Sequence, residues 1–292
     1  VTFPRIFSIL LAFGMELHNL RLQIIPTQAA LLHEETDFNR VNRLKKYISG
    51  HGYLKNPPIV GKMHASNQTH YIVLDGATRT TALRELGIPD ILVQVVEYGE
   101  GGITLEAWNH VLPDVTNLNI LEMIGSIDGL HLSETSLDEA RRCVVMREIA
   151  GYIYSSPDKI LAVRADGDFF AQVELLSKVV KTYERHGEIY RLAQADLENL
   201  IASRHEHSSV MIFPQFTPKE IKDIALSPIK LPAGITRHII PGRALNVNIP
   251  LELLQNPQSI PEKNEWLDQW LTAKIVERKV RFYHEPVFVF DE

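Results

Sequence analysis

The sequence predicts an α+β protein in two parts: an N-terminal α/β domain with a mixed sheet, then a larger, helix-rich α+β region. Three observations carry that prediction. Strand-like and helix-like stretches alternate up to about residue 98, the pattern of an α/β unit. Beyond residue 112, helical periodicities and capping signals prevail over short strand candidates. The 292 residues are 45% apolar and 23% charged, which supports real cores and excludes disorder as the main state. The expected domains run over 15–112 and 113–292.

The first residues, "VTFPRIFSILLAFG", carry one Arg and a short apolar run but no small-residue cleavage pattern. Well-patterned sequence starts at Met15, so 1–14 read as an upstream extension. "LHNLRLQII", 17–25, alternates as a strand does. Thr36-Asp37 caps a helix over 38–50, with Val41, Leu44 and Ile48 on one face and Gly50 and Gly52 at its end. "PPIVGKM" and "HYIVLD" read as strands joined by a polar turn at 64–69, followed by a helix over 77–86 and a strand over 91–97. Farther on, Ser136-Leu137-Asp138-Glu139 is a capping-box pattern before "ARRCVVMREIA". "GYIYS" and "KILAVRA" are short strand candidates. A helix over 169–186 aligns Val173, Leu176, Val180 and Tyr183 and stops at Gly187. Thr217-Pro218-Lys219-Glu220 starts another helix, with Pro at its first position. The Pro/Gly-rich stretch 228–243 reads as an elaborate loop. A helix over about 262–278 and a last strand, "VFVFDE", close the chain.

The formal net charge of −6 lacks the basic excess of a dedicated nucleic-acid binder. Cys143 is the only cysteine, which excludes an internal disulfide and fits a cytoplasmic location. No Cys/His zinc pattern and no membrane-span-length apolar run occurs. "RHEHSS", 204–209, reads as a loop rather than a metal site, "ADGDF" as a turn, and Cys143 as a buried, inert thiol.

The most informative stretch is "YIVLDGATRTTALRELG", 71–87. An apolar strand ends on Asp75-Gly76 just where a helix starts. Free N–H groups and the helix dipole at such a point favour an anion. Gly76 permits close approach, Thr78, Thr80 and Thr81 offer hydroxyls, and Arg79 offers a charged fork. Asp75 suits Mg²⁺ when phosphates supply further ligands. The same residues are also ordinary turn and cap chemistry. The P-loop pattern is absent.

"LDGATRTTALRELG", preceded by "NPPIV", resembles the nucleotide-binding motif of the ParB/sulfiredoxin superfamily. Three more segments, "LLHEETDFNR", "LEAWNHVLP" and "LPAGITRHIIPGRALNVNIPLELL", resemble its free L-serine kinase branch, which includes an archaeal enzyme of cysteine biosynthesis and a siderophore-cluster kinase that doubles as a regulator. The resemblance runs from about residue 17 to the C-terminus. It implies a ParB/sulfiredoxin-like nucleotide-binding domain over 15–112, with 113–292 completing the substrate site. It implies transfer of a phosphoryl group from ATP or ADP, with Mg²⁺, to the hydroxyl of L-serine.

On that resemblance Glu34 is the catalytic base, and Asp75 is catalytic and the metal ligand. Pro57, Gly76, Ala77, Thr78, Arg79 and Thr80 hold the nucleotide. Trp108, His110, Thr236, Arg237, His238 and Arg243 hold the substrate. The sulfiredoxin cysteine has no equivalent, which disfavours thiol-based sulfinic acid reduction. Two other functions compete: a ParB-like nucleotide-dependent DNA-binding regulator, and a nucleotide-binding scaffold without turnover. The regulator needs a basic recognition helix, and 134–203 carries many acids and no clear one, so DNA is the less favoured partner. A membrane partner is not expected.

Overall fold

The computed structural model describes residues 20–65, 68–99, 102–112, 120–156, 159–187, 189–203 and 209–283. These form two compact units. The first takes in the chain up to Leu31, then Asp37–Gly102, then Ile240 onward; the second takes in Leu32–Thr36 and Ile103–Ile239. The extension 1–14, residues 17–19, most of "RHEHSS" and the strand expected at "VFVFDE" lie outside the described residues.

The first unit begins with strands β1 (Leu22–Pro26) and β2 (Ala30–Leu31) and helix α1 (Phe38–His51). Asp37 caps α1 by accepting the Arg40 N–H, and Gly52 closes it in the left-handed conformation. Strands β3 (Tyr53–Leu54), β4 (Ile59–Ala65) and β5 (Gln68–Asp75), helix α2 (Ala77–Glu85) and strand β6 (Asp90–Val96) follow. The main sheet has the order β1-β6-β4-β5-β2. β1/β6 and β4/β5 pair antiparallel, while β4/β6 and β2/β5 pair parallel, so the sheet is mixed as the alternation predicts. Ile24, Ile72, Leu83, Ile91 and Val93 are fully buried in its core.

The second unit contains β7 (Thr104–Ala107), β8 (Asn109–Val111), α3 (Ile120–Gly125), β9 (Leu130–Thr135), α4 (Leu137–Val145), β10 (Gly151–Ser156) and β11 (Lys159–Ala165). It continues with α5 (Phe169–Glu184), β12 (Tyr190–Leu192), α6 (Gln194–Ser203), β13 (Val210–Ile212), α7 (Pro218–Leu226) and β14 (Thr236–Ile239). Six strands form an antiparallel sheet ordered β12-β8-β13-β10-β11-β9. Its central strand β10 is buried from Gly151 to Tyr154, which explains why "GYIYS" is apolar without alternation. The Thr217/Glu220 capping box forms in full. Ser136 caps α4 by accepting the Glu139 N–H. The stretch 228–243, expected as loop, contains β14, paired antiparallel with β7. Too few apolar residues in alternation mark it as a strand; its partner decides.

The chain then returns to the first unit. β15 (Ile249–Pro250) pairs with β3, α8 (Leu251–Gln255) follows, and α9 (Ile260–Val276) ends the described elements. Asn264 on α9 exchanges two 2.8 Å hydrogen bonds with the Ile24 backbone. Lys263, fully buried, donates to Asp90 at 2.6 Å and to the Leu254 carbonyl at 3.1 Å. A buried ammonium without such partners would be strongly destabilising, so this pair fixes where α9 packs. No helix among the described residues is long and apolar enough to cross a membrane.

Candidate active site

In the first unit, β5 runs buried from Tyr71 to Leu74 and surfaces at Asp75. Gly76 (φ 96°) turns the chain into α2; a Cβ there would lie 3.0 Å from both Pro58 Cα and the Arg79 guanidinium carbon. An L side chain fits neither the space nor the angle. The N–H groups of Ala77, Thr78 and Arg79 belong to the first turn of α2, where no intrahelical acceptor exists. Thr80 does not join them. It is fully buried, and its N–H and hydroxyl both donate to the Gly76 carbonyl, at 2.9 and 3.1 Å. Thr80, expected at the nucleotide, here closes the helix start.

Arg79 braces the turn. Its guanidinium donates to Asp75 Oδ2 at 2.7 Å and to the carbonyls of Asn56 and Pro57 at 3.1 and 2.9 Å. Pro57 thus acts through its carbonyl. Arg243, expected among the substrate residues, donates to the same Asp75 Oδ2 at 3.0 Å. Two cations share one carboxylate, a third of which is exposed (34%), at a helix N-terminus. That arrangement carries net positive charge and suits phosphate.

In the second unit, Glu34 sits on a short extended segment. Leu231 donates its N–H to the His33 carbonyl at 2.9 Å, and Glu35 donates its own to the Leu231 carbonyl at 2.8 Å. The Glu34 carboxylate accepts three hydrogen bonds: from Gly234 N–H (3.0 Å), Thr236 N–H (2.9 Å) and the Thr236 hydroxyl (2.5 Å). Its side chain is only 13% exposed. Burial pushes its pKa above the ordinary carboxylate value, while the three donors and the nearby His238 pull the other way and offset only part of it. Glu35 next to it pairs with Lys181 at 2.8 Å.

The cradle has its own supports. Gly234 (φ 73°) leaves no room for a side chain, because a Cβ would collide with the Arg191 guanidinium. His33 Nε2 lies 2.9 Å from the Thr236 hydroxyl oxygen. With that hydroxyl donating to Glu34, His33 must carry its proton on Nε2. A second buried imidazole, His238, packs edge-on against His33 with the ring centres 5.5 Å apart.

The antiparallel pairing of β7 with β14 sets Arg237 opposite Glu106. Arg237 donates to Glu106 at 3.2 Å, and its guanidinium lies 4.4 Å from the centre of the Trp108 ring, a cation–π distance. Both partners of the ion pair are about a third exposed. His110, expected to touch substrate, is only 2% exposed. Its Nδ1 bonds the Tyr183 hydroxyl at 2.8 Å, and Phe213 packs edge-on against the ring. Burial, with Arg191 adding to it, pulls its pKa down to about 4. His110 is thus held among Tyr183 and Phe213 within the second unit. Among the described residues no group of three or more His, Cys, Asp or Glu is arranged to hold a metal ion.

No family model matches the chain. It is 25% identical over 271 residues, 93% of its length and 97% of the relative's, to the ATP-dependent L-serine kinase SbnI of Staphylococcus aureus. It is 22% identical over 235 residues, 80% of its length and 90% of the relative's, to an ATP-dependent L-serine kinase of Staphylothermus marinus. The solved structure of SbnI with a C-terminal truncation matches with a TM-score of 0.69 at 24% identity, over 89% of this chain and 99% of that one. A free serine kinase in complex with AMP matches with a TM-score of 0.68 at 20% identity, over 81% and 94%. The fold is that of the free serine kinases.

Within this serine-kinase fold, three functional candidates escaped the sequence reading. Glu106 lies inside "LEAWNHVLP" but becomes visible only through its pairing with Arg237. Gly234 precedes Thr236 by two residues and reads as loop punctuation until its N–H is seen on Glu34. Asn56 holds Arg79 through its carbonyl and the Asn246 N–H through its side chain; only its place before Pro57 hints at a role.

Proposed function

We propose that this chain is a free L-serine kinase that transfers the γ-phosphoryl group of ATP to the serine hydroxyl, giving O-phospho-L-serine. The observation that carries the reading is Glu34, a nearly buried carboxylate with a raised pKa, held in one orientation by Thr236 and Gly234. Its setting is a chain similar over 93% of its length to an ATP-dependent L-serine kinase.

A serine hydroxyl is poorly acidic and must lose its proton as the phosphoryl group arrives. A carboxylate whose basicity is raised by burial is suited to take it. Donors on the Glu34 carboxylate fix its direction without neutralising it. The two relatives named above are ATP-dependent kinases, which supports ATP over ADP as donor. The phosphates are assigned to the first turn of α2, with Arg79 and Arg243 supplying positive charge.

Mg²⁺ fits this turn through Asp75. One carboxylate is enough protein ligand when phosphate oxygens and water complete the shell. The ion would supply charge neutralisation of the phosphates.

Serine is a zwitterion, and Arg237 and Glu106 form a receptor of matching charge. The guanidinium would take the substrate carboxylate and Glu106 the ammonium, each exchanging its present partner for one on the substrate. Trp108 would wall the site against water.

The test is ³¹P NMR of the protein with Mg²⁺, L-serine and either ATP or ADP, alongside Glu34→Gln and Asp75→Asn. Phosphoserine is expected from the wild type with ATP and not from the variants. Absence of product with both nucleotides, while nucleotide still binds, would sink the kinase reading.

A further inference from the structure

The first unit contains a cavity of about 370 Å³ between the segment 242–250, the start of β1 and the C-terminal helix α9 with the residues after it. That volume suits a small organic molecule. Among the described residues its lining includes four cationic side chains, Arg243, Lys274, Lys279 and Arg281, and no carboxylate. In a chain of net charge −6, such a grouping is not an average of the surface. Trp270 supplies a flat apolar wall, with the Lys274 ammonium 5.4 Å from its ring centre.

Two of the cations have carboxylate partners: Arg243 pairs with Asp75 at 3.0 Å and Lys279 with Glu277 at 2.7 Å. Arg243 thus lines the cavity and also reaches the Asp75 turn. A second link runs beside it, since the Asn246 N–H donates to the Asn56 side chain at 2.7 Å and the Asn56 carbonyl in turn accepts from Arg79.

We propose that this cavity binds an anionic small molecule with a flat apolar body, at a site separate from the phosphoryl donor, and that Arg243 couples its occupancy to Asp75. The charge decides against the cavity serving the donor's nucleoside. A nucleoside is neutral, and its phosphates are already assigned to the α2 turn with Arg79 and Arg243, so it would offer no charge to match the Lys274 and Arg281 side chains that line the cavity beyond that turn. An anion here competes with Asp75 for Arg243 and thereby alters the charge at the turn. The separateness from the donor rests on the reading of that turn as the phosphate site.

The experiment is a fluorescence titration of the full chain with 8-anilinonaphthalene-1-sulfonate, a flat aromatic monoanion whose emission rises in apolar surroundings. Saturable binding at one equivalent is expected, weakening with added salt. Lys274→Glu combined with Arg281→Glu should weaken it at least tenfold, while Lys219→Glu on α7 should leave it unchanged. Saturating Mg·ATP should leave the dye bound, and dye should shift the apparent Mg·ATP affinity at least threefold. Thermal melting checks that the double variant is folded; if it is not, the exposed Arg281→Gln is used alone. No saturable binding, indifference to the charge changes, full displacement by Mg·ATP, or an unmoved Mg·ATP affinity each overturns the proposal. Dye binding as expected in a protein that makes no phosphoserine would fault the kinase reading and leave the anion site standing.

Discussion

Asp75 and Glu34 are both carboxylates at the edge of a well-packed core, and their surroundings are opposite in kind. Asp75 has two guanidiniums on one oxygen and a third of its surface in water. Glu34 has neutral N–H and O–H donors, and little water. Cations stabilise the charged form of an acid, whereas burial raises its basicity. The first environment makes a fixed negative charge within a positive turn; the second makes a base. The difference teaches that a role follows from what surrounds a carboxylate, since residue type alone does not separate the two.

The largest expected effect comes from removing the base. Glu34→Gln should lower the rate of phosphoserine formation by roughly 10²–10⁴-fold with nucleotide affinity little changed, as followed by single-turnover assay and calorimetry. Asp75→Asn should differ in kind: it removes the carboxylate that would hold Mg²⁺, so Mg·ATP affinity should fall about 10–100-fold, the scale of one charge-assisted contact, and phosphoserine formation with it. If the two variants gave the same profile, the contrast between the two carboxylates would collapse.

Next comes Glu106→Gln. If Glu106 receives the serine ammonium, KM for L-serine should rise about tenfold and the preference over 3-hydroxypropionate, which lacks only the amino group, should shrink. A lower KM would mean that Glu106 only occupies Arg237 in the empty site.

A smaller effect concerns pH. A base must be deprotonated, and burial holds the Glu34 pKa above its ordinary value. Activity should therefore fall with decreasing pH at a point above the usual carboxylate range. Thr236→Val removes one donor that favours the charged form, so the acid limb of kcat/KM should move to still higher pH. Movement to lower pH would contradict the assignment of the donors.

The last prediction tests stability. His110 has its pKa pulled from 6.5 to about 4 by burial. The unfolded chain takes up a proton near pH 6.5 and the folded one only near 4, so stability should fall between those values as pH decreases and level off below. A shift of that size corresponds to at most about 3 kcal/mol. Urea unfolding at about pH 7 and again near the lower pKa should show the loss in the wild type and a smaller one in His110→Asn.

Much of this molecule is legible along the chain. The 3.6-residue periodicity of α1 and α5, the capping box at Thr217 and Glu220, and the Asp75-Gly76 turn are local features, set by dihedral preferences and neighbouring side chains. The motif residues Glu34 and Thr236 are visible as well, through resemblance. Their contact, 202 residues apart in sequence, is not.

What the sequence by itself determined is therefore the local script: which stretches are helix or strand, where the helix that receives an anion begins, and which residue types are at hand. Only the tertiary structure decided their use. It paired β14 with β7 and so set Glu106 against Arg237; it buried His110 and turned Thr80 inward; and it returned the chain so that Arg243 reaches Asp75. The physical reason is one of range. Dihedral preference and capping act within a few residues, whereas burial and ion pairing depend on which distant segments the folded chain brings together.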